Sequence, residues 1–150
     1  MKRCAANFGR YMLLLFFGLV VGTAALAQSA DTLRTASGVR YVIRQKGTGN
    51  LAQPGDRLTM RYTGYLPNGR IFDASVADGA PIRFRAGRGE VIRGWDELAL
   101  LLPAGTRAHA WIPAALAYGH KGNRDPDDDR RYIIPPDTDL EFELEVVKIK

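Results

Sequence analysis

Alternation with a period of two runs through most of this chain, and only one stretch breaks into helical spacing. The fold therefore has to be a sheet whose apolar face is closed by a single helix. Leu58, Met60 and Tyr62 share one face of a run whose other face is Arg57, Thr59, Arg61 and Thr63. Arg107 to Ile112 sets Ala108, Ala110 and Ile112 against His109 and Trp111, and Asp139 to Lys150 sets Leu140, Phe142, Leu144 and Val146 against Asp139, Glu141, Glu143 and Glu145. Strands that are polar on one side are typical of antiparallel sheets, which argues against a doubly wound parallel sheet. Shorter alternations place Val39, Tyr41 and Ile43 opposite Arg40 and Arg44, and Ile82 and Phe84 opposite Arg83 and Arg85. Pro67-Asn68-Gly69 reads as a hairpin turn, with Ile71-Phe72 opening the return strand. At Val146-Val147 the phase slips, since Val147 and Ile149 take the other parity, and a β-bulge accounts for it.

The helical stretch is Val91, Ile92, Trp95, Leu98, Ala99 and Leu102, stopped by Pro103-Ala104-Gly105. One short amphipathic helix and about five or six antiparallel strands make an α+β domain with one core.

The N-terminus has a different character. Lys2, Arg3 and Arg10 precede an uncharged run from Tyr11 to Ala27, which closes on Ala25-Leu26-Ala27. This is the pattern of a secretory signal peptide cut before Gln28, with an uncleaved anchor in the inner membrane as the alternative. The expected organisation is a signal peptide over 1–27, a flexible polar spacer over 28–38 and the folded domain over 39–150, placing the protein in the periplasm or outside the cell. Cys4, the single cysteine, lies in the leader, and no cysteine follows the apolar run to accept a lipid. The leader also carries three positive charges of the formal +5. Basic residues elsewhere alternate with acids, so no nucleic-acid stripe is formed, and no membrane contact is expected after cleavage.

Several chemistries are absent. The chain after the leader has no thiol nucleophile, no Gly-x-Ser-x-Gly elbow and no phosphate loop, and His109 and His120 are not spaced as a metal pair. Asp125, Asp127, Asp128 and Asp129 surround Pro126 and lack the Gly and Glu of a calcium loop, so neither a metal nor a cofactor is expected. The unusual feature is aromatic: Tyr62, Phe72, Trp95, Tyr118 and Phe142 lie on separate elements whose faces converge over the helix. Core packing explains most such rings. Tyr118, in Ala117-Tyr118-Gly119 at the start of a polar loop, and Asp73, directly after Phe72, fit that explanation poorly.

Val91-Ile92-Arg93-Gly94-Trp95-Asp96, Tyr62-Thr63-Gly64, Ile71-Phe72-Asp73-Ala74-Ser75, Ala117-Tyr118-Gly119 and Ile133-Ile134-Pro135-Pro136 together resemble the FKBP-type peptidyl-prolyl cis-trans isomerases, over roughly residue 40 to the end. The resemblance is to an exported bacterial member with a single such domain. It implies a curved antiparallel sheet wrapped over the short helix. It also implies a basin walled by Tyr62, Phe72, Val91, Ile92, Tyr118, Ile134 and Phe142, with Trp95 as floor and Asp73 at the rim, and with Ile82 and Ile133 in the substrate-contacting set. Tyr62, Asp73, Tyr118 and Phe142 would be the catalytic group, and the Tyr118 hydroxyl and Ile92 N–H the donors to substrate carbonyls. The implied partners are proline-containing polypeptides and macrolide inhibitors. A catalytically weak chaperone or partner-binding module of the same fold is the other reading, and a monomer is expected.

The missing nucleophile suits this family, because rotating a prolyl bond makes or breaks no bond to a heavy atom. Two departures bear on the site. Asp78 stands where many members carry a basic residue that serves the rim, so Asp73 has to use a neighbouring arginine or be solvated, and it has no proton-transfer role. Ile82 replaces a frequent aromatic and opens that wall. His120 to Tyr132 is longer than in minimal members and is expected to overhang the basin's edge, either tuning substrate choice or standing as a tolerated surface insertion.

Overall fold

The computed structural model describes residues 31–75 and 79–150. The expected leader, its cleavage site, Cys4 and Asp78 lie outside the described residues.

The long alternating runs form the long strands. β1 (Leu33–Arg34), β2 (Arg40–Gln45), β3 (Arg57–Tyr65), β4 (Ile71–Ala74) and β5 (Ile82–Arg85) precede α1 (Arg93–Ala99); β6 (Arg107–Ile112), β7 (Asn123–Arg124), β8 (Tyr132–Ile134) and β9 (Leu140–Ile149) follow it. The main antiparallel sheet has the order β1-β2-β6-β9-β3-β4, with β5 also pairing β3, and β7 and β8 form a separate hairpin. The sheet thus has seven strands rather than the expected five or six. The addition is β1, two residues within the expected spacer that pair as Leu33 with Tyr41 and Arg34 with Arg40.

The centre of the sheet is β9, flanked by β3 and β6. Leu140, Phe142, Leu144 and Val146 point inward and are buried, as are Ala108, Ala110 and Ile112 of β6 and Leu58 and Met60 of β3. Glu145, of the opposite parity, reaches Arg61 and Arg107 on the outer face, and Glu141 and Glu143 flank His109. Such exposed pairs are worth about 0–1 kcal/mol each, whereas each large inward side chain contributes about 1.5–3 kcal/mol, so the apolar face holds the sheet together. The phase slip is present: Thr59 pairs Lys148 but Met60 pairs Val146, leaving Val147 as the extra residue. Tyr41 and Ile43 of β2 pack against the core while Arg40 and Arg44 are exposed. Val42, of opposite parity to Tyr41 and Ile43, is 5% exposed, because it lies across from the half-buried His109 on the outer face.

The helix crosses the inner face with Gly94, Trp95, Leu98 and Ala99 buried. Gly94 sets the approach: a Cβ there would stand 2.5 Å from Ile112 Cγ2, so only glycine lets the helix lie this close to β6. Leu102 lies beyond the helix end in the following turn yet is fully buried.

Candidate functional site

Where the helix begins beneath β3, β4 and β9, the core is incompletely filled. Tyr62, Phe72, Asp73, Ile82, Glu90, Val91, Ile92, Trp95, Tyr118 and Phe142 surround a concavity of about 200 Å³. That is the space of roughly seven liquid waters, enough for a prolyl ring but below the ~300–1,000 Å³ of pockets for drug-sized molecules.

The basin is built by aromatic rings meeting edge to face. Trp95, 4% exposed, is met at 4.7 Å by Tyr62 and at 5.2 Å by Phe142, and Phe142 is met at 5.7 Å by Phe72. Edge-to-face pairs favour these separations, so each ring fixes the next. Gly64 permits the last contact: it lies across from Phe142 in the β3–β9 register, and a Cβ there would be 2.5 Å from Phe72 and 2.9 Å from Phe142. Trp95 Nε1 is buried without a hydrogen-bond acceptor among the described residues.

Apart from Trp95 Nε1, the polar side chains of the lining are those of Tyr62, Asp73, Glu90 and Tyr118. The Tyr62 hydroxyl donates to Asp73 Oδ2 at 2.6 Å, and Ser75 holds the same strand by accepting the Tyr62 N–H at 2.9 Å. Among the described residues no arginine or lysine pairs with Asp73, so of the two expectations the arginine partner is not found, and a tyrosine hydroxyl takes the role. Tyr118, 37% exposed, has its phenol raised above the ordinary tyrosine value, first by burial of its inner part and then by the negative charge of Asp73. It therefore remains an O–H donor at any physiological pH.

Ile92 directly precedes the helix with φ −57° and ψ 146°, and its carbonyl accepts from Trp95 and Asp96. Its own N–H has no acceptor among the described residues, as expected for the first amides of a helix. The loop before it is tied down by Asp96, whose two oxygens accept the N–H groups of Gly87 at 2.9 Å and Gly89 at 2.7 Å.

Most of the residues singled out in the sequence meet here, but Ile133 and Ile134 do not line the basin. Ile134 is fully buried in the core. Ile133 is half-buried against the core, and its carbonyl accepts from Arg70. The 120–132 segment is absent from the lining as well. It forms the β7–β8 hairpin, stacking Arg124 on Tyr132 at 4.4 Å and clipping Asp125 to Arg131. Glu90 was not singled out; its Oε2 accepts the Arg85 N–H at 2.9 Å, which holds the side chain at the basin edge. The only sequence signal for it was its place just before Val91-Ile92.

Among the described residues no group of three His, Cys, Asp or Glu could hold a metal, and no helix is long and apolar enough to cross a membrane.

The family model described as FKBP-type peptidyl-prolyl cis-trans isomerase matches residues 49–147. FK506-binding protein 2 of Dictyostelium discoideum is 37% identical over 139 residues, spanning 93% of this chain and 96% of its own length. A probable FKBP-type peptidyl-prolyl cis-trans isomerase of Haemophilus influenzae is 35% identical over 126 residues, 84% of this chain but 48% of that protein. The chain spans only 24% of FK506-binding protein 4 of Neurospora crassa, at 40% identity. Among solved structures, AtFKBP13 superposes with a TM-score of 0.74 at 32% identity, over 81% of this chain and all of that one. A peptidyl-prolyl cis-trans isomerase from Pseudomonas syringae pv. tomato gives 0.69 at 32% identity, over 83% and 84% of the two chains.

Proposed function

Because this chain belongs to the FKBP-type peptidyl-prolyl cis-trans isomerase family, we propose that its aromatic basin takes the prolyl ring of a polypeptide and lowers the barrier to rotation about the preceding amide bond. The observation that carries this reading is the basin itself: a hollow walled by Tyr62, Phe72, Trp95 and Phe142, with Tyr118 and Asp73 beside them.

The chemistry follows from the amide. Resonance sets a barrier of about 18–20 kcal/mol, and uncatalysed exchange takes tens to hundreds of seconds. An acceleration of about 10³ to 10⁴ needs roughly 4–5.5 kcal/mol. The planar amide is the more charge-separated form. Transfer into the apolar basin destabilises it relative to the twisted amide, which has lost resonance. Tyr62, Phe72, Trp95 and Phe142 hold the ring, while the Tyr118 hydroxyl and the Ile92 N–H fix the flanking carbonyls. Asp73 orients the Tyr62 hydroxyl and transfers no proton.

The substrates on this reading are proline-containing polypeptides, and FK506-like macrolides are candidate inhibitors, since several relatives are named for binding FK506. The apolar stretch ending at Ala27 supports export, so that the protein would assist folding outside the cytoplasm, where prolyl steps are among the slow ones. N-terminal sequencing of the exported protein, with Gln28 first, tests that part.

Exchange in a short prolyl peptide tests the activity. Acceleration by catalytic amounts of the protein, reduced in Tyr62→Ala, Asp73→Ala and Phe142→Ala, supports the enzyme. Peptide binding without acceleration supports a binding module instead.

A further inference from the structure

Charge at the basin mouth has one sign. Of the residues lining the hollow, Asp73 and Glu90 are acidic and none is basic. Each carboxylate has one oxygen engaged, Asp73 Oδ2 by the Tyr62 hydroxyl and Glu90 Oε2 by the Arg85 amide. The second oxygen of each has no partner among the described residues, and neither carboxylate forms an ion pair there. Arg83, Arg85 and Arg88, on β5 and the loop after it, are directed elsewhere. Arg83 and Arg85 alternate with Ile82 and Phe84, whose parity faces inward, so they project to the opposite side of β5. The Arg88 guanidinium approaches Gly55, on the loop behind. The field of Asp73 reaches the basin, since it is felt at Tyr118.

These two carboxylates flank an apolar hollow that admits a prolyl ring, and they are held in place by hydrogen bonds while keeping free acceptor capacity. We infer that the basin selects prolyl segments with a lysine or arginine beside the proline, and discriminates against aspartate and glutamate there. The inference rests on the basin being the prolyl site. A cation flanking the ring would meet a free carboxylate oxygen at the rim, and an anion would meet only like charge.

The test uses two series of short peptides, with lysine, alanine or glutamate immediately before the proline or immediately after it. Both kcat/KM for cis-trans exchange and binding affinity are measured. At about 10 mM salt, where screening extends over about 30 Å, the lysine peptide should exceed the glutamate peptide by about three- to tenfold in at least one series. At about 1 M salt, with screening near 3 Å, that ratio should fall to within about twofold. Asp73→Asn and Glu90→Gln should each bring the low-salt ratio nearer to one. A ratio at or below one in both series, or one indifferent to salt, overturns the inference, and the wild-type salt series decides it even if a variant fails to fold. Failure of the alanine peptide to isomerise would overturn the prolyl-isomerase reading instead. In that case the affinities still decide the charge preference.

Discussion

Gly64→Ala separates a basin that depends on ring placement from one that is merely apolar. Gly64 is buried in β3, and its φ lies outside the left-handed region, so alanine meets no backbone penalty there. The added methyl would stand 2.5 Å and 2.8 Å from Phe72 and 2.9 Å from Phe142. Ordinary carbon contacts are about 3.5–4.0 Å, so the rings must retreat by about 1 Å. Phe142 cannot, because Trp95 blocks it from behind at 5.2 Å. The half-buried Phe72 gives way, and the wall it forms opens. Overpacking of this kind costs about 1–3 kcal/mol, and the stiffer unfolded chain returns about 0.4–1 kcal/mol, so the net loss is on the order of 1 kcal/mol. A wall displaced by about 1 Å should cost about ten- to a hundredfold in kcat/KM, well beyond the stability effect. Denaturant unfolding followed by tryptophan fluorescence, and prolyl exchange on the same preparation, read the two quantities. Gly69→Ala is the control: at φ +81°, in the left-handed region but with nothing near its Cβ, it should lose about 1–2 kcal/mol and keep full activity. Wild-type kcat/KM in Gly64→Ala would mean that catalysis does not depend on the placement of Phe72 and Phe142.

Since burial and Asp73 raise the Tyr118 phenol in the folded state, stability is complete below the unfolded tyrosine value near 10 and is lost as pH climbs through the folded one. Asp73→Asn should move Tyr118 ionisation, followed by phenolate absorbance, to lower pH, and no movement contradicts the stated cause. Asp96→Ala removes the acceptor of the Gly87 and Gly89 amides and should cost about 1–3 kcal/mol in thermal or chemical unfolding, with KM rising as the loop carrying Glu90 loosens. An unchanged KM would mean that the loop is positioned without Asp96.

The long strands and the helix were legible because a half-buried strand and an amphipathic helix write their periods into the chain. Even the bulge at Val147 was visible as a change of parity. β1 and β7 were not, since two residues carry no period, and their pairing depends on what the rest of the fold brings alongside. Tyr62, Phe72, Trp95 and Phe142 stood out as rings on converging faces. Ile134 was misplaced because an apolar residue beside a basin and one beneath it look alike in sequence; only the packing puts it in the core. Glu90 was missed for the converse reason, as an exposed glutamate in a glycine-rich turn whose position is set by the Arg85 amide.

On the proposed mechanism, desolvation and ring placement drive the isomerisation without proton transfer. The pH profile of catalysed exchange, recorded by exchange spectroscopy on one prolyl peptide together with the solvent deuterium isotope effect, tests it most directly. A kcat/KM that is level across neutral pH and an isotope effect close to one are expected. A bell-shaped profile, with a substantial isotope effect that Asp73→Asn abolishes, would contradict it by making Asp73 an acid or base in the reaction.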